Sequence, residues 1–478
     1  MKRLLSLALT TALALELVAC SGQSQTADTP ETATTPQTVE TAETAAIPVA
    51  GDFYAVQPVF GMNTLFNAGD VFYELRPRSG YCLLFRIDCD TATRGVLCSV
   101  PGCTHDSDAC PAWLPGQIWD YTTFATEDTV YVYKARSYEE VTDWESYYEQ
   151  NVAPYLNDED MLQGRTPQEF EISYYNRFVQ LRQPACLYAV ARDGSEQRRI
   201  DLSENLERNT ALSWCDGTAL YGCLSLDALD TPVQGFRVEL ATGQVTTFSM
   251  LAGEGIVAAE GRLLLTARVV SDVPFPDPQT EWEAYQAILQ NATLECYSLD
   301  PASGKRKKLL ELPGSLIAQN GDFSGIAGGQ LYFLERQTQP EGDVLMTILA
   351  FDTTTGQQEL EYHLPRKSVW MNDPTVVGLP DVAQQEGRYL WLIHSGDGGL
   401  LSMQILDRLS GMLYEPAMPS EQVRLQQDLG SPPLTDDGRF LLCVGRSDDF
   451  YDYHYALVDA EAFLQGSTDY TPVTAPDL

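Results

Sequence analysis

One pattern recurs along the chain and constrains its fold more than any other feature. A turn dipeptide ending in Gly, or an equivalent, precedes a short run of strand-forming residues. The copies are "AGDVFYEL" from Ala68, "EDTVYVYK" from Glu127, "DGTALYGC" from Asp216, "EGRLLLTA" from Glu260, "GGQLYFLE" from Gly328, "EGRYLWLI" from Glu386 and "DGRFLLCV" from Asp437. Gly supplies the positive φ of a tight turn, and the Val, Leu, Tyr and Phe that follow suit a pleated strand. Each copy leads into a second strand that often ends in Asp and a turn, as in "CYSLDPASGKRKKL" from Cys296, "LAFDTTTGQQEL" from Leu349 and "MQILDRLSGMLY" from Met403. Asp and Ser or Thr side chains bond to the local backbone in such turns, and Gly closes them. A third strand leaves the turn, for example "QVTTFSML" from Gln244. A plain sandwich does not repeat this way, and a parallel β-helix repeats at far shorter spacing. The pattern predicts an all-β fold, a β-propeller of about seven blades, with six or eight fitting nearly as well. "GDFYAVQPVF" from Gly51 is expected to supply the strand that closes the ring with the last blade.

The Asp-x-x-Thr/Ser-Gly turns at Asp300–Gly304, Asp352–Gly356 and Asp407–Gly411 carry a family resemblance. The pattern resembles bacterial extracytoplasmic propellers of the TolB and YVTN type, over residues 50 to 470. The resemblance implies the fold and leaves the function open. Two stretches exceed the repeat, at 136–181 and 271–293. Val141, Trp144, Tyr147 and Tyr148 share a helical face in the first, and Trp282, Tyr285 and Ile288 do so in the second. Their aromatic stripes suit packing against the propeller or, alternatively, a wall beside a binding pocket.

The first residues are built for export. Lys2 and Arg3 precede an apolar run from Leu4 to Leu15, too short to span a bilayer and the length of a signal-peptide core. Leu17-Val18-Ala19-Cys20 resembles the lipobox of bacterial lipoproteins, although Glu16 interrupts the apolar segment. In that family cleavage falls before the cysteine, so Cys20 is expected to carry a diacylglycerol with fatty acyl chains such as palmitate. Residues 21–46 are rich in Thr, Ala, Glu, Gln and Pro and lack aromatics, so they read as a disordered tether. Signal peptide 1–20, tether 21–46 and one propeller domain 47–478 make up the expected organisation. The expected location is the extracytoplasmic face of the cell membrane. Acidic residues outnumber Lys and Arg 67 to 30, a net charge of −37, and a chain so charged repels nucleic acid.

One motif concentrates chemistry. "CSVPGCTHDSDAC" places Cys98, Cys103, His105 and Cys110 within a single loop. Three thiolates and an imidazole are the donors of a closed structural zinc site. Disulfides are the competing reading in an exported chain, with Cys82 and Cys89 as further partners. Pro101-Gly102 forms a turn that swings Cys103 back toward Cys98 under the metal reading. Cys186, Cys215, Cys223, Cys296 and Cys443 fall on expected strands and read as core thiols. No residue is assigned as catalytic: His363, His394 and His454 stand in no nucleophile motif, and paired acids are uninformative where acids abound. Two functions follow. One is a membrane-anchored binding or scaffold propeller for a glycan, a peptide or an envelope partner. The other is a carbohydrate-active or peptide-processing enzyme with carboxylates in the propeller funnel.

Overall fold

The computed structural model describes residues 51–475, apart from isolated positions, short loops and the stretches 57–64, 137–142, 225–231, 339–343, 364–388, 396–400 and 448–451. Cys20 and the tether lie outside the described residues. Seven antiparallel sheets follow one another among these residues, each built from consecutive strands, with Tyr54–Ala55 added to the edge of the third. The second sheet shows the plan: Tyr121–Ala125, Thr129–Lys134, Cys186–Ala191 and Gln197–Asp201 pair in a simple meander. Apolar clusters lie between successive sheets. One joins the first three, another the third to the fifth, and a third the sixth and seventh. Sheets repeated in sequence and stacked face against face make a β-propeller.

The repeat seen in the sequence is the second strand of the first five sheets and the first described strand of the last two. Val71–Arg78, Thr129–Lys134, Ala219–Leu224, Leu263–Val270, Gln330–Thr338, Tyr389–Ser395 and Arg439–Arg446 begin within a few residues of the seven turn signals. In most sheets a first strand precedes that turn. Phe66–Asn67, Tyr121–Ala125, Thr210–Cys215, Gly255–Glu260 and Asp322–Ala327 fill this place. These first strands approach one another between sheets, Phe66–Asn67 meeting Tyr121–Ala125 and Gly255–Glu260 meeting Asp322–Ala327, so they lie nearest the axis. The Asp-Gly turns join the third strand to the outer one. Asp300 accepts from the Ala302 amide at 3.0 Å and Asp352 from that of Thr354 at 2.9 Å, while the Gly304 and Gly356 amides donate back to the carbonyls of the same aspartates.

The N-terminal segment does not close the ring. Tyr54 and Ala55 pair with Cys215 and Trp214 on the free edge of the third sheet's first strand. That edge faces the axis, so these residues lie in the central channel. Phe53 packs edge-on against Tyr221 at 4.9 Å, the Tyr54 hydroxyl donates to the Ala125 carbonyl at 2.8 Å, and Val56 is fully buried. Tyr54 and Val56 are buried in the apolar cluster of the first three sheets, Tyr54 against Phe66, and that burial holds the segment in the channel.

The first and seventh sheets share no strand among the described residues. A parallel bridge between Thr93 and Thr474 links them, with the Arg94 amide donating to the Thr474 carbonyl at 2.8 Å. The seam carries a buried ionic network instead. Glu74, fully buried, lies 2.6 Å from Arg76 and 3.1 Å from Arg94, and the Tyr455 hydroxyl donates to it. Arg94 reaches Asp452 at 2.7 Å, and Arg76 lies over the Tyr453 ring at 4.6 Å. Around it, Leu65, Phe72, Ile87, Leu441 and Leu457 form the apolar part of the seam.

Both long insertions leave between the second and third strands of their sheets. Helices Trp144–Asn151 and Pro167–Leu181 occupy the first and helix Trp282–Asn291 the second. Thr166 and Glu169 cap the 15-residue helix reciprocally, at 3.2 and 2.8 Å, with Pro167 pre-setting its first turn. Trp144, Tyr147, Tyr175 and Phe178 are spent on one another: Trp144 meets Tyr175 edge-on at 5.0 Å and Phe178 at 5.4 Å. The stripe of the first insertion thus packs one helix on another. In the second, Leu289 is buried on the propeller core while Trp282 stays exposed and stacks on Tyr285. No helix among the described residues is long and apolar enough to cross a membrane.

Candidate metal centre

The loop that holds the cysteines is an excursion from one edge of the first sheet. Strand Thr93–Val96 pairs with Tyr81–Asp88, the chain leaves at Leu97, and Trp113–Pro115 returns to pair with Tyr81–Leu83 of the same strand. Only then does the chain cross to the second sheet. Within the excursion the Cys103 amide donates to the Val100 carbonyl at 3.2 Å, with Gly102 at φ 73° between them. That is a type II turn, with Pro101 setting its first corner and Gly102 its second. A second turn brings the Cys110 amide to the Ser107 carbonyl at 3.0 Å. His105 adopts φ 59°, a left-handed backbone uncommon outside Gly, though His, like Asn and Asp, is enriched there. Two tight turns and this reversal fold thirteen residues into a small cup.

The cup gathers its donors. One ligand atom from each of Cys98, Cys103, His105 and Cys110 lies within 4.8 Å of every other. His105 Nδ1 stands 3.2 Å from Cys110 Sγ. A tetrahedral zinc with Zn–S of about 2.3 Å and Zn–N of about 2.0 Å places its donors ~3.5–3.8 Å apart, so the spacing fits a single ion after small adjustments. None of these cysteines is in a disulfide, and Cys82 and Cys89 are buried elsewhere, also outside any disulfide. The backbone amide of His105 holds the Cys103 thiol below its ordinary value, aided by Cys110 and Cys98. Burial pushes Cys110 up to about 12. The neighbouring sulfurs reinforce that rise, because unneutralised thiolates repel one another, and a dication reverses it.

The cup is fastened to the second sheet. The Ser99 amide donates to the Gly194 carbonyl at 2.9 Å, and Gln197 Nε2 bonds the carbonyls of Pro111 and Trp113, each at 2.9 Å. Gly194 has φ 71°, and a Cβ there would stand 2.8 Å from the Cys98 amide nitrogen. Gly194→Ala is therefore expected to cost about 1–3 kcal/mol in urea unfolding, from backbone strain and overpacking together.

The other cysteines behave as core thiols. Cys186, Cys215, Cys296 and Cys443 are buried on strands, and Cys223 is half-buried. Of the histidines, His105 joins the cup, and His454 is exposed on strand Tyr453–Asp459. The side chains of His363 and His394, and most of the "HSGDGG" turn, lie outside the described residues. Sequence reasoning missed the seam network. Its signal was Glu74 and Arg76 two residues apart in "VFYELRPR", on one face of a buried strand.

No family model matches the chain. No curated protein matches its sequence either. Among solved structures, the chain is similar to the β-propeller domain of the trilobed protease from Pyrococcus furiosus, at 8% identity, over 89% of this chain and 97% of that one, with a TM-score of 0.41. It is similar to the tricorn protease at 10% identity, over 91% of this chain and 35% of that one, with a TM-score of 0.38. TolB from Acinetobacter baumannii is similar at 10% identity, over 82% of this chain and 77% of that one, with a TM-score of 0.25.

Proposed function

We propose that this chain is a lipid-anchored lipoprotein on the extracytoplasmic face of the cell membrane, whose propeller serves as a binding or scaffold module. Cys20 carries the lipid. Zinc, held by Cys98, Cys103, His105 and Cys110, is structural: four protein donors fill a tetrahedral ion and leave no position for a reacting water. The observation that favours binding over catalysis is the strand at Tyr54–Ala55. It runs along the channel-facing edge of the third sheet, where the enzyme reading needs room for substrate between converging carboxylates. The partner is a glycan, a peptide or an envelope protein taken on the outer surface of the ring.

The anchor is tested in bacteria that express the full chain. Growth with an alkyne-bearing fatty acid is expected to label the wild type and to leave Cys20→Ala unlabelled and released from the membrane fraction. Equal labelling of both chains would overturn the lipoprotein reading.

A further inference from the structure

A crevice opens beside the cysteine cup, between the first and second sheets. It holds about 280 Å³ and is lined by Arg86, Asp88, Thr93, the run Gly95 to Cys98, Arg192 and Asp193. Its floor is Gly95, the register partner of Arg86 on the outer strand of the first sheet. Nothing in the protein's own packing calls for a glycine at this position. Its φ is not in the left-handed region, and a Cβ built on it would meet nothing within 4 Å. Glycine inside a strand weakens it, and often marks a bulge, a tight bend or the close approach of a ligand or another backbone. The pairing of Thr93–Val96 with Phe85–Asp88 runs without a register shift, so there is no bulge. No protein atom makes the approach either, so the position leaves bare backbone open to a ligand.

The walls are charged and already held in place. Arg86 lies 2.9 Å from Asp88, which also accepts from the Thr91 amide at 3.0 Å. The Arg86 Nε is buried without a hydrogen-bond partner. Arg192 is fixed by the Tyr73 hydroxyl at 2.7 Å and the Glu127 carbonyl at 3.1 Å. It has no carboxylate partner among the described residues, and its remaining N–H groups are left for a ligand. Asp193 stands exposed at the rim. The side chains balance, two cations and two anions, so the crevice favours neither a bare anion nor a bare cation. It offers fixed donors and fixed acceptors around a bare backbone floor. Hydroxyl groups match such a set, because each can donate to a carboxylate and accept from a guanidinium. The volume falls just below the ~300–1,000 Å³ of small-ligand pockets, a fit for one sugar ring.

We propose that this crevice binds one monosaccharide unit of a glycan, seated on Gly95 and hydrogen-bonded by Arg86, Asp88, Arg192 and Asp193. The proposal rests on the binding reading above and names a class of partner for it. Saturation-transfer NMR on the full chain, with neutral hexoses, N-acetylhexosamines and hexuronic acids each as a probe, is the direct test. Binding by at least one neutral sugar is expected, weakened tenfold or more in Gly95→Val. That variant adds a strand-favouring side chain into open space, so its thermal midpoint should hold or rise. A sugar that binds wild type and Gly95→Val alike would overturn the site. Saturation by hexuronic acids alone would overturn the charge-balanced reading of its walls. No binding by any sugar would overturn the proposal, and a peptide or envelope partner captured by the same chain would leave the wider binding reading intact.

Discussion

Cys110→Ser is expected to abolish stoichiometric zinc and to loosen the stitch between the first two sheets. Elemental analysis of the purified full chain should return one zinc per wild-type molecule and none per variant. The effect is large because metal affinity adds directly to folding stability when the unfolded chain binds the ion weakly. Free zinc at a thousandfold excess over Kd contributes about 4 kcal/mol. Chelation of the wild type should lower its thermal midpoint toward that of Cys110→Ser, and should leave the variant unmoved. Amide exchange localises the change. The Ser99 amide bonds Gly194 and the Cys103 amide closes the type II turn, so both should lose protection on chelation. A thiol count separates zinc from disulfides. Cys82, Cys89, Cys98, Cys103, Cys110, Cys186, Cys215, Cys223, Cys296 and Cys443 stand outside any disulfide, so chelated and denatured protein should show all ten as reactive. Two fewer, with no zinc, would overturn the site.

Glu74→Ala is expected to destabilise the ring by about 3–5 kcal/mol, the cost of leaving a buried charge without its partner. Two guanidinium groups converge on this carboxylate from different strands, Arg76 beside it and Arg94 from the outer strand. Burial alone pulls Arg76 toward neutrality. The charges of Glu74, Tyr455 and Asp452 more than offset that pull and hold its pKa above the ordinary value. Arg94 retains Asp452 in the variant, so the loss falls on Arg76. Urea unfolding measures it, and Glu74→Gln, which keeps hydrogen-bonding capacity, should lie between wild type and Glu74→Ala. A double change to Glu74→Leu and Arg76→Met should recover much of the loss, since apolar pairs of similar volume replace buried ion pairs at little cost. A loss below 1 kcal/mol in Glu74→Ala would show that the apolar seam at Phe72 and Leu441 suffices.

The sequence exposed the repeat strands because nearly all follow a glycine turn and read as short apolar runs, as in "DGTALYGC" and "DGRFLLCV". It hid the first strands because no glycine turn announces them: Phe66–Asn67 has only two residues, and Gly255–Glu260 reads as a loop beside its glycine. The cysteine cup was legible from spacing alone, since Pro101-Gly102 dictates the reversal between Cys98 and Cys103. Its stitch to Gly194 was not, because that contact joins segments almost a hundred residues apart and depends on two sheets already being stacked. Tyr54 went to the channel rather than to the last sheet for a related reason. A two-residue strand carries no register information, and the fit of its ring among the first three sheets decides its place.

That two-residue strand also bears on the order of folding. Tyr54 and Ala55 find their partners at Cys215 and Trp214, about 160 residues later in the chain. Closing so long a loop yields only two residue pairs, and contacts of high sequence separation form slowly. Residues 51–56 cannot seat until the third sheet exists, so they dock onto a partly assembled ring rather than nucleate it. Their amides should therefore be among the last in the propeller to gain protection during refolding. Truncating them should leave the rate at which the second sheet forms unchanged.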